Sequence, residues 1–199
     1  MKRLMLWERP PSTGLRTGMA AILLLACAFV SGAAAVPDDS LYQLQLPLTT
    51  QAGAAAKLDL HGGQPVLVTM FYGSCPHVCP MLISTIQRYE LELPAKQRGR
   101  LRVLLVSLDP QRDTPAKLTE IAQRHRVDLA RWTFARAEAA DVRRLAAALD
   151  IQYRQLPDGE FNHSTVITLL DGNGRIVKQT SSLLRLDAEF SGALKAATR

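Results

Sequence analysis

Cysteine is scarce in this chain. Three among 199 residues are too few for a disulfide-built scaffold, so any sulfur chemistry has to be local. Aromatic residues are equally thin at 6%. No basic run interleaved with aromatics occurs, which argues against nucleic acid as a partner. The 12 glycines and 11 prolines are scattered, excluding collagen-like and low-complexity chains. A mean hydropathy of +0.01 excludes both a polytopic membrane protein and a disordered polyelectrolyte. What is present, 47% hydrophobic and 21% charged residues, suits one ordinary domain with an appendage.

The appendage is N-terminal. Lys2, Arg3, Arg9 and Arg16 stand against Glu8 alone and precede an apolar stretch from Gly18 to Val30. Setting aside these four bases and one acid lowers the net charge from +6 to +3. Residues 1–35 therefore read as a signal peptide or membrane anchor, and 36–199 as the domain. Three endings fit. Ala33-Ala34-Ala35 before Val36-Pro37-Asp38 offers a small-residue cleavage site. Leu24-Leu25-Ala26-Cys27 resembles the lipobox of bacterial lipoproteins, with Cys27 acylated. An uncleaved segment from Gly18 to Val36 is about long enough to cross a bilayer at ~1.5 Å per residue, giving a membrane tether. Each ending puts the domain in the periplasm or on the outer face of the inner membrane. A buried N-terminal helix of the domain itself has the wrong flanks.

From Val36 the pattern alternates strands and helices. Leu41 to Pro47 and Lys57 to Leu60 predict an N-terminal β-hairpin. Pro65 to Tyr72 is a continuous apolar, β-rich run, as expected of a strand covered on both faces. Met81, Leu82, Ile86, Tyr89 and Leu93 follow at helical spacing. Leu101 to Leu108 predicts a second buried strand, ending at Asp109-Pro110. Asp113 as N-cap and Pro115 in the first turn open another helix. Glu138 to Leu149 reads as helix, and Ser164 to Leu170 with Arg175 to Gln179 as a closing hairpin. The order β, α, β, α, α, β, β is compatible with a thioredoxin-like α/β sandwich, a central mixed sheet flanked by helices. Trp132 and Phe134 read as core or interface aromatics, and Trp7 belongs to the leader.

The two domain cysteines, Cys75 and Cys79, fall where the central strand hands over to a helix. The first turn of a helix presents free N–H groups and partial positive charge, which favour thiolate over thiol. A Cys-x-x-x-Cys spacing sets the sulfurs about one helical turn apart. They can exchange as dithiol and disulfide, or grip one metal ion. For a third metal ligand there are four histidines. His61 and His125 read as surface residues, and His77, between the cysteines, as an exposed loop residue or a further ligand. His163 lies on a loop just before the strand Val166 to Leu170, from which an imidazole can reach the cysteine end of the sheet. Spacing alone leaves it open between ligand and capping or surface residue.

Three segments in order carry a family resemblance: Phe71-Tyr72-Gly73-Ser74-Cys75-Pro76-His77-Val78-Cys79-Pro80, Val106 to Pro115, and His163-Ser164-Thr165. Together they resemble the Sco/SenC family of copper-binding cytochrome oxidase assembly proteins, over roughly Leu41 to Thr180. The resemblance implies a thioredoxin-like fold, with Cys75 and Cys79 as thiolate ligands of copper, Cu(I) or Cu(II), and His163 as the imidazole ligand. Two positions depart from it: Asn162 stands where members often carry Asp, and Met81 where they often carry Thr. Neither is a ligand position, yet Met81 adds a soft thioether and the missing Asp removes a charge. Asp109 and Asp113 match acidic positions of the family motif, serving as turn and cap or tuning the site.

The implied function is a copper chaperone that serves the dinuclear copper site of cytochrome c oxidase subunit II, or another cuproprotein, with a periplasmic thiol reductase keeping the sulfurs reduced. The alternative is a thiol:disulfide oxidoreductase acting on a cuproprotein's cysteines through Cys75 and Cys79, with no need of His163. A peroxidase lacks the supporting Thr or Gln and Arg around Gly73-Ser74-Cys75. A closed zinc site would require His77 and His163 together.

Overall fold

The computed structural model describes residues 36–75 and 77–199. Residues 1–35, expected to be a signal peptide or membrane anchor, lie outside the described residues, and with them the alternatives of cleavage after Ala35, acylation at Cys27 and an uncleaved span. Among the described residues no helix is long and apolar enough to cross a membrane.

The centre of the molecule is the strand β3 (Val66–Phe71), whose six residues are all buried. Its β-branched and apolar side chains have no solvent face to satisfy, so it takes neighbours on both edges. On one edge β4 (Arg102–Ser107) runs parallel to it, from Val66 opposite Arg102 to Phe71 opposite Ser107. On the other, β8 (Ile167–Leu170) runs antiparallel. Adding β5 (Trp132–Arg136), the hairpin of β1 (Pro47–Thr50) and β2 (Ala55–Lys57), and β9 (Ile176–Thr180) gives a seven-stranded mixed sheet in the order β2-β1-β5-β4-β3-β8-β9. The helices α1 (Val78–Leu91) and α2 (Ala95–Arg100) connect β3 to β4. Then α3 (Pro115–Arg124) leads to β5, and α4 (Ala139–Ala148) follows it. The chain closes with α5 (Ala188–Ala197), whose Phe190 packs on Tyr89 of α1 with ring centroids 5.0 Å apart. A separate two-stranded hairpin, β6 (Tyr153–Gln155) with β7 (Phe161–His163), stands outside the main sheet. This is the expected sandwich of a central mixed sheet flanked by helices.

Several local expectations need correction. Leu41 to Leu44 is a single 3-10 turn, because the Ser40 hydroxyl accepts from the Tyr42 N–H at 3.1 Å and closes a helical turn. The N-terminal hairpin exists but starts later, at Pro47, and its second strand ends at Lys57 where Lys57 to Leu60 was expected to begin one. Met81 points outward at 40% exposure; Cys79, Leu82, Ile83, Ile86 and Tyr89 form the inner face of α1. Trp132 and Phe134 are core residues of β5, a strand the apolar pattern did not announce, since it is only five residues long and its first four are all buried. The C-terminal helix and the β6–β7 hairpin were likewise not foreseen.

His61, expected on the surface, is partly buried and its Nε2 lies 3.1 Å from Thr133 Oγ1. Burial, with Arg102 adding repulsion, holds its pKa down to about 4. A base with a depressed folded pKa contributes stability above its unfolded pKa of about 6.5 and loses it as pH falls toward 4. Urea denaturation at pH 7 and pH 4.5 should show a loss in the wild type that exceeds the loss in His61→Gln by about 2 kcal/mol, discounted for partial exposure. Equal losses would mean that His61 titrates in the fold as it does in the unfolded chain.

Candidate metal centre

Parallel strands β3 and β4 end at the same edge of the sheet, and antiparallel β8 begins there, so three loops converge. Crevices at the carboxyl ends of strands are where open α/β sheets place ligands. The Thr69 hydroxyl donates to the Val166 carbonyl at 2.7 Å and pins the β8 entry to β3.

The cysteine loop leaves β3 through Tyr72 and Gly73. Gly73 is required by crowding: a Cβ there would collide with Asp113 Oδ1 and lie 2.9 Å from Ile121 Cδ1. The Gly73 N–H donates to Asp113 Oδ2 at 2.9 Å, and the Ser107 hydroxyl donates to the same oxygen. Asp113 is 2% exposed, and its burial pushes the carboxyl pKa up against these hydrogen bonds. Asp113 is therefore not the N-cap of α3. Thr114 takes that role, accepting from the Lys117 N–H at 3.3 Å, with Pro115 at the first helical position as expected. Asp109 is also buried, its N–H donating to Ser107 Oγ at 2.9 Å.

Both domain cysteines are free thiols with unlike surroundings. Cys75, half-buried, precedes α1, and its sulfur accepts from the Cys79 N–H at 3.3 Å. The helix has no side-chain cap at His77, so this sulfur fills that role. Burial pushes the Cys75 thiol up, but the Cys79 N–H, the Cys79 thiol, the His77 N–H and the Tyr72 phenol outweigh it, and the net shift is downward. Cys79 is 3% exposed; burial, and the charge of a Cys75 thiolate beside it, push its thiol well up.

His163 ends β7, opposite Tyr153, rather than lying on a loop. Its ring meets Tyr72 edge-on with centroids 5.6 Å apart. Nδ1 lies 2.9 Å from the Ser164 carbonyl, which can only accept, so Nδ1 carries the proton and Nε2 keeps its lone pair. Burial lowers the imidazole pKa, against that hydrogen bond, and favours the neutral form. Tyr72 thus touches both partners: its ring meets His163, and its carbonyl accepts from the Cys75 N–H at 3.3 Å. Among the described residues, however, no three His, Cys, Asp or Glu side chains stand close enough together to hold a metal ion. His77 is exposed at the start of α1, and His125 is the C-cap residue of α3.

Tyr72 is the residue that sequence reasoning missed. It is 5% exposed, its hydroxyl donates to the Phe161 carbonyl at 3.3 Å, and its ring meets His163. Its place at the end of an apolar run gave it the look of one more core residue.

The central mixed sheet flanked by helices, with a pair of thiols at a strand-to-helix junction, defines the class: a thioredoxin-like protein. The SCO1/SenC family model matches residues 37–195, and the chain belongs to that family. A protein of Stutzerimonas stutzeri whose name carries the words copper-binding is 28% identical over 124 residues, so the match covers 59% of this chain and 59% of that relative. The structure of Bradyrhizobium japonicum ScoI with copper bound superposes with a TM-score of 0.62 at 27% identity, covering 76% of this chain and 96% of that one. A SCO1/SenC family lipoprotein from Bacillus anthracis shares the fold, with a TM-score of 0.69 at 19% identity over 77% and 92% of the two chains.

Two measurements check this geometry. Iodoacetamide at neutral pH should label Cys75 before Cys79, read by peptide mass spectrometry; equal labelling would contradict the asymmetry. Gly73→Ala should lower stability by about 1–3 kcal/mol in urea denaturation, since the added Cβ meets two buried side chains, Asp113 and Ile121.

Proposed function

We propose that this chain is an exported copper carrier in which the Cys75 and Cys79 thiolates and His163 Nε2 hold one copper ion. The observation that carries the reading is the pairing of two sulfurs, Cys75 just ahead of α1 and Cys79 in its first turn, with a proton-fixed imidazole on the β7–β8 side of the same sheet edge. The donors fit the cargo: two thiolates and an imidazole suit Cu(I), and accept Cu(II) where geometry permits. The reading requires His163 and the cysteines to close around the ion, a movement at the β7–β8 junction. The recipient is the dinuclear copper site of cytochrome c oxidase subunit II or of another cuproprotein. Residues 1–35 would export the domain or tether it to the outer face of the inner membrane, and a periplasmic thiol reductase would keep the sulfurs reduced.

A second reading rests on the asymmetry of the thiols. In a thiol:disulfide oxidoreductase the Cys75 thiolate attacks a partner disulfide, forming a mixed disulfide and releasing one partner thiolate. Cys79, once deprotonated, attacks Cys75 and releases the second. Two electrons pass to the partner and a Cys75–Cys79 disulfide remains, to be reduced by the dithiol of the reductase. Both readings use the same sulfurs, and only the first uses His163.

Copper titration under reducing conditions separates them. The wild type should bind one equivalent, Cys75→Ser and Cys79→Ser should lose tight binding, and His163→Ala should bind at least tenfold more weakly. Affinity should fall as pH falls, because protons compete with copper for sulfur and imidazole. Wild-type affinity in His163→Ala, with disulfide exchange intact, would favour the redox reading.

A further inference from the structure

The β6–β7 hairpin that carries His163 packs Tyr153 and Phe161 against the core but makes few hydrogen bonds to the body. Its strands pair only with each other, and a cavity of about 210 Å³ lies beneath it, lined by Leu108, Asp109, Val142, Arg143, Tyr153 and Phe161 among others. Among the described residues, two side chains from elsewhere bond to residues 153–163. One is Tyr72, whose hydroxyl reaches the Phe161 carbonyl at 3.3 Å. The other is Arg112, from the loop between β4 and α3.

Arg112 bridges two partners with its planar fork. Its Nε donates to the buried carboxylate of Asp109, and its Nη2 donates to the carbonyl of Gly159 at the hairpin tip. Its Nη1 stands 3.7 Å from Glu160 Oε1 on the same tip. Gly159 adopts φ +84°, a conformation other residues rarely take, and this turn presents its carbonyl to the guanidinium. The Arg112 side chain is 43% exposed, so the contact adds little to global stability, while its geometry couples the rigid β4 end to the free tip of the hairpin.

We propose that Arg112 is a positioning residue, a latch that holds the tip of the β6–β7 hairpin to the end of β4 and so limits the movement by which His163 reaches the cysteines. The proposal rests on the reading of His163 as a copper ligand. Without the latch the hairpin keeps its ring contacts, Tyr72 with Phe161 at 5.3 Å and Tyr72 with His163 at 5.6 Å, but loses its hold at the tip. The imidazole must then be ordered each time copper binds, which weakens retention. The fork matters more than the charge: a lysine ammonium at the same place is a point donor and cannot span Asp109 and the Gly159 carbonyl together.

The test combines amide hydrogen exchange by mass spectrometry on the copper-free full chain with loss of Cu(I) to bicinchoninate. In Arg112→Ala, exchange over 153–163 should quicken about tenfold with β3 and β4 unchanged. Copper loss should quicken about tenfold too, the low end of what a residue supporting a ligand controls. Arg112→Lys should behave like Arg112→Ala. Unchanged exchange in the hairpin, a loosened hairpin with unchanged copper loss, or full retention by Arg112→Lys would each overturn the latch. Wild-type copper retention in His163→Ala would instead overturn the ligand reading, an outcome read independently of the exchange in Arg112→Ala.

Discussion

The buried carboxylate of Asp113 is the contact on which the site depends. It accepts from the Gly73 N–H at the exit of β3 and from Ser107 at the end of β4, while its own backbone leads into α3. Three segments distant in sequence are joined at one group. Such a group costs free energy to bury, and it is tolerated because its hydrogen bonds are made. Its closeness also forbids a side chain at position 73. The cysteine loop is therefore held against the sheet edge two residues before Cys75.

From that anchor follows the unlike character of the two sulfurs. Cys75 lies ahead of the helix, where N–H groups and the Tyr72 phenol favour its thiolate; Cys79 is carried into the core by the first turn of α1. One sulfur is ready and the other sheltered, which serves ligand exchange of a soft metal and disulfide exchange equally well. The imidazole separates the two uses. It arrives on a hairpin outside the main sheet, with its proton fixed on Nδ1 and its other nitrogen free. The exposed Val78, Met81 and Leu184 give the surface around this edge an apolar character.

Much of the architecture was legible in the chain because the signals were long and unambiguous. The continuous apolar runs of β3 and β4 could only be buried strands, and the Asp171-Gly172-Asn173-Gly174 turn marked the closing hairpin. Short elements were not legible. The five residues of β5 and the three each of β6 and β7 are too brief for periodicity to stand out, and Leu41 to Pro47 reads as a strand although a serine hydroxyl folds Leu41 to Leu44 into a turn. Asp113 looked like a cap because Asp before Thr-Pro commonly is one. Its real partners, Gly73 and Ser107, come from other strands.

The sequence by itself determined the chemistry available: two thiols four residues apart at a strand-to-helix junction, an imidazole before the last strand pair, and motifs whose order resembles one family. Spacing along a chain specifies which groups lie on one helix turn, because local geometry is set by neighbouring dihedrals. Only the tertiary structure decided which thiol is the more buried, that Asp113 is a buried tie, that the Tyr72 ring meets His163, and that Arg112 reaches the hairpin tip. Those facts depend on burial and on contacts between residues tens of positions apart, and such contacts exist only once the sheet has brought its loops to a common edge.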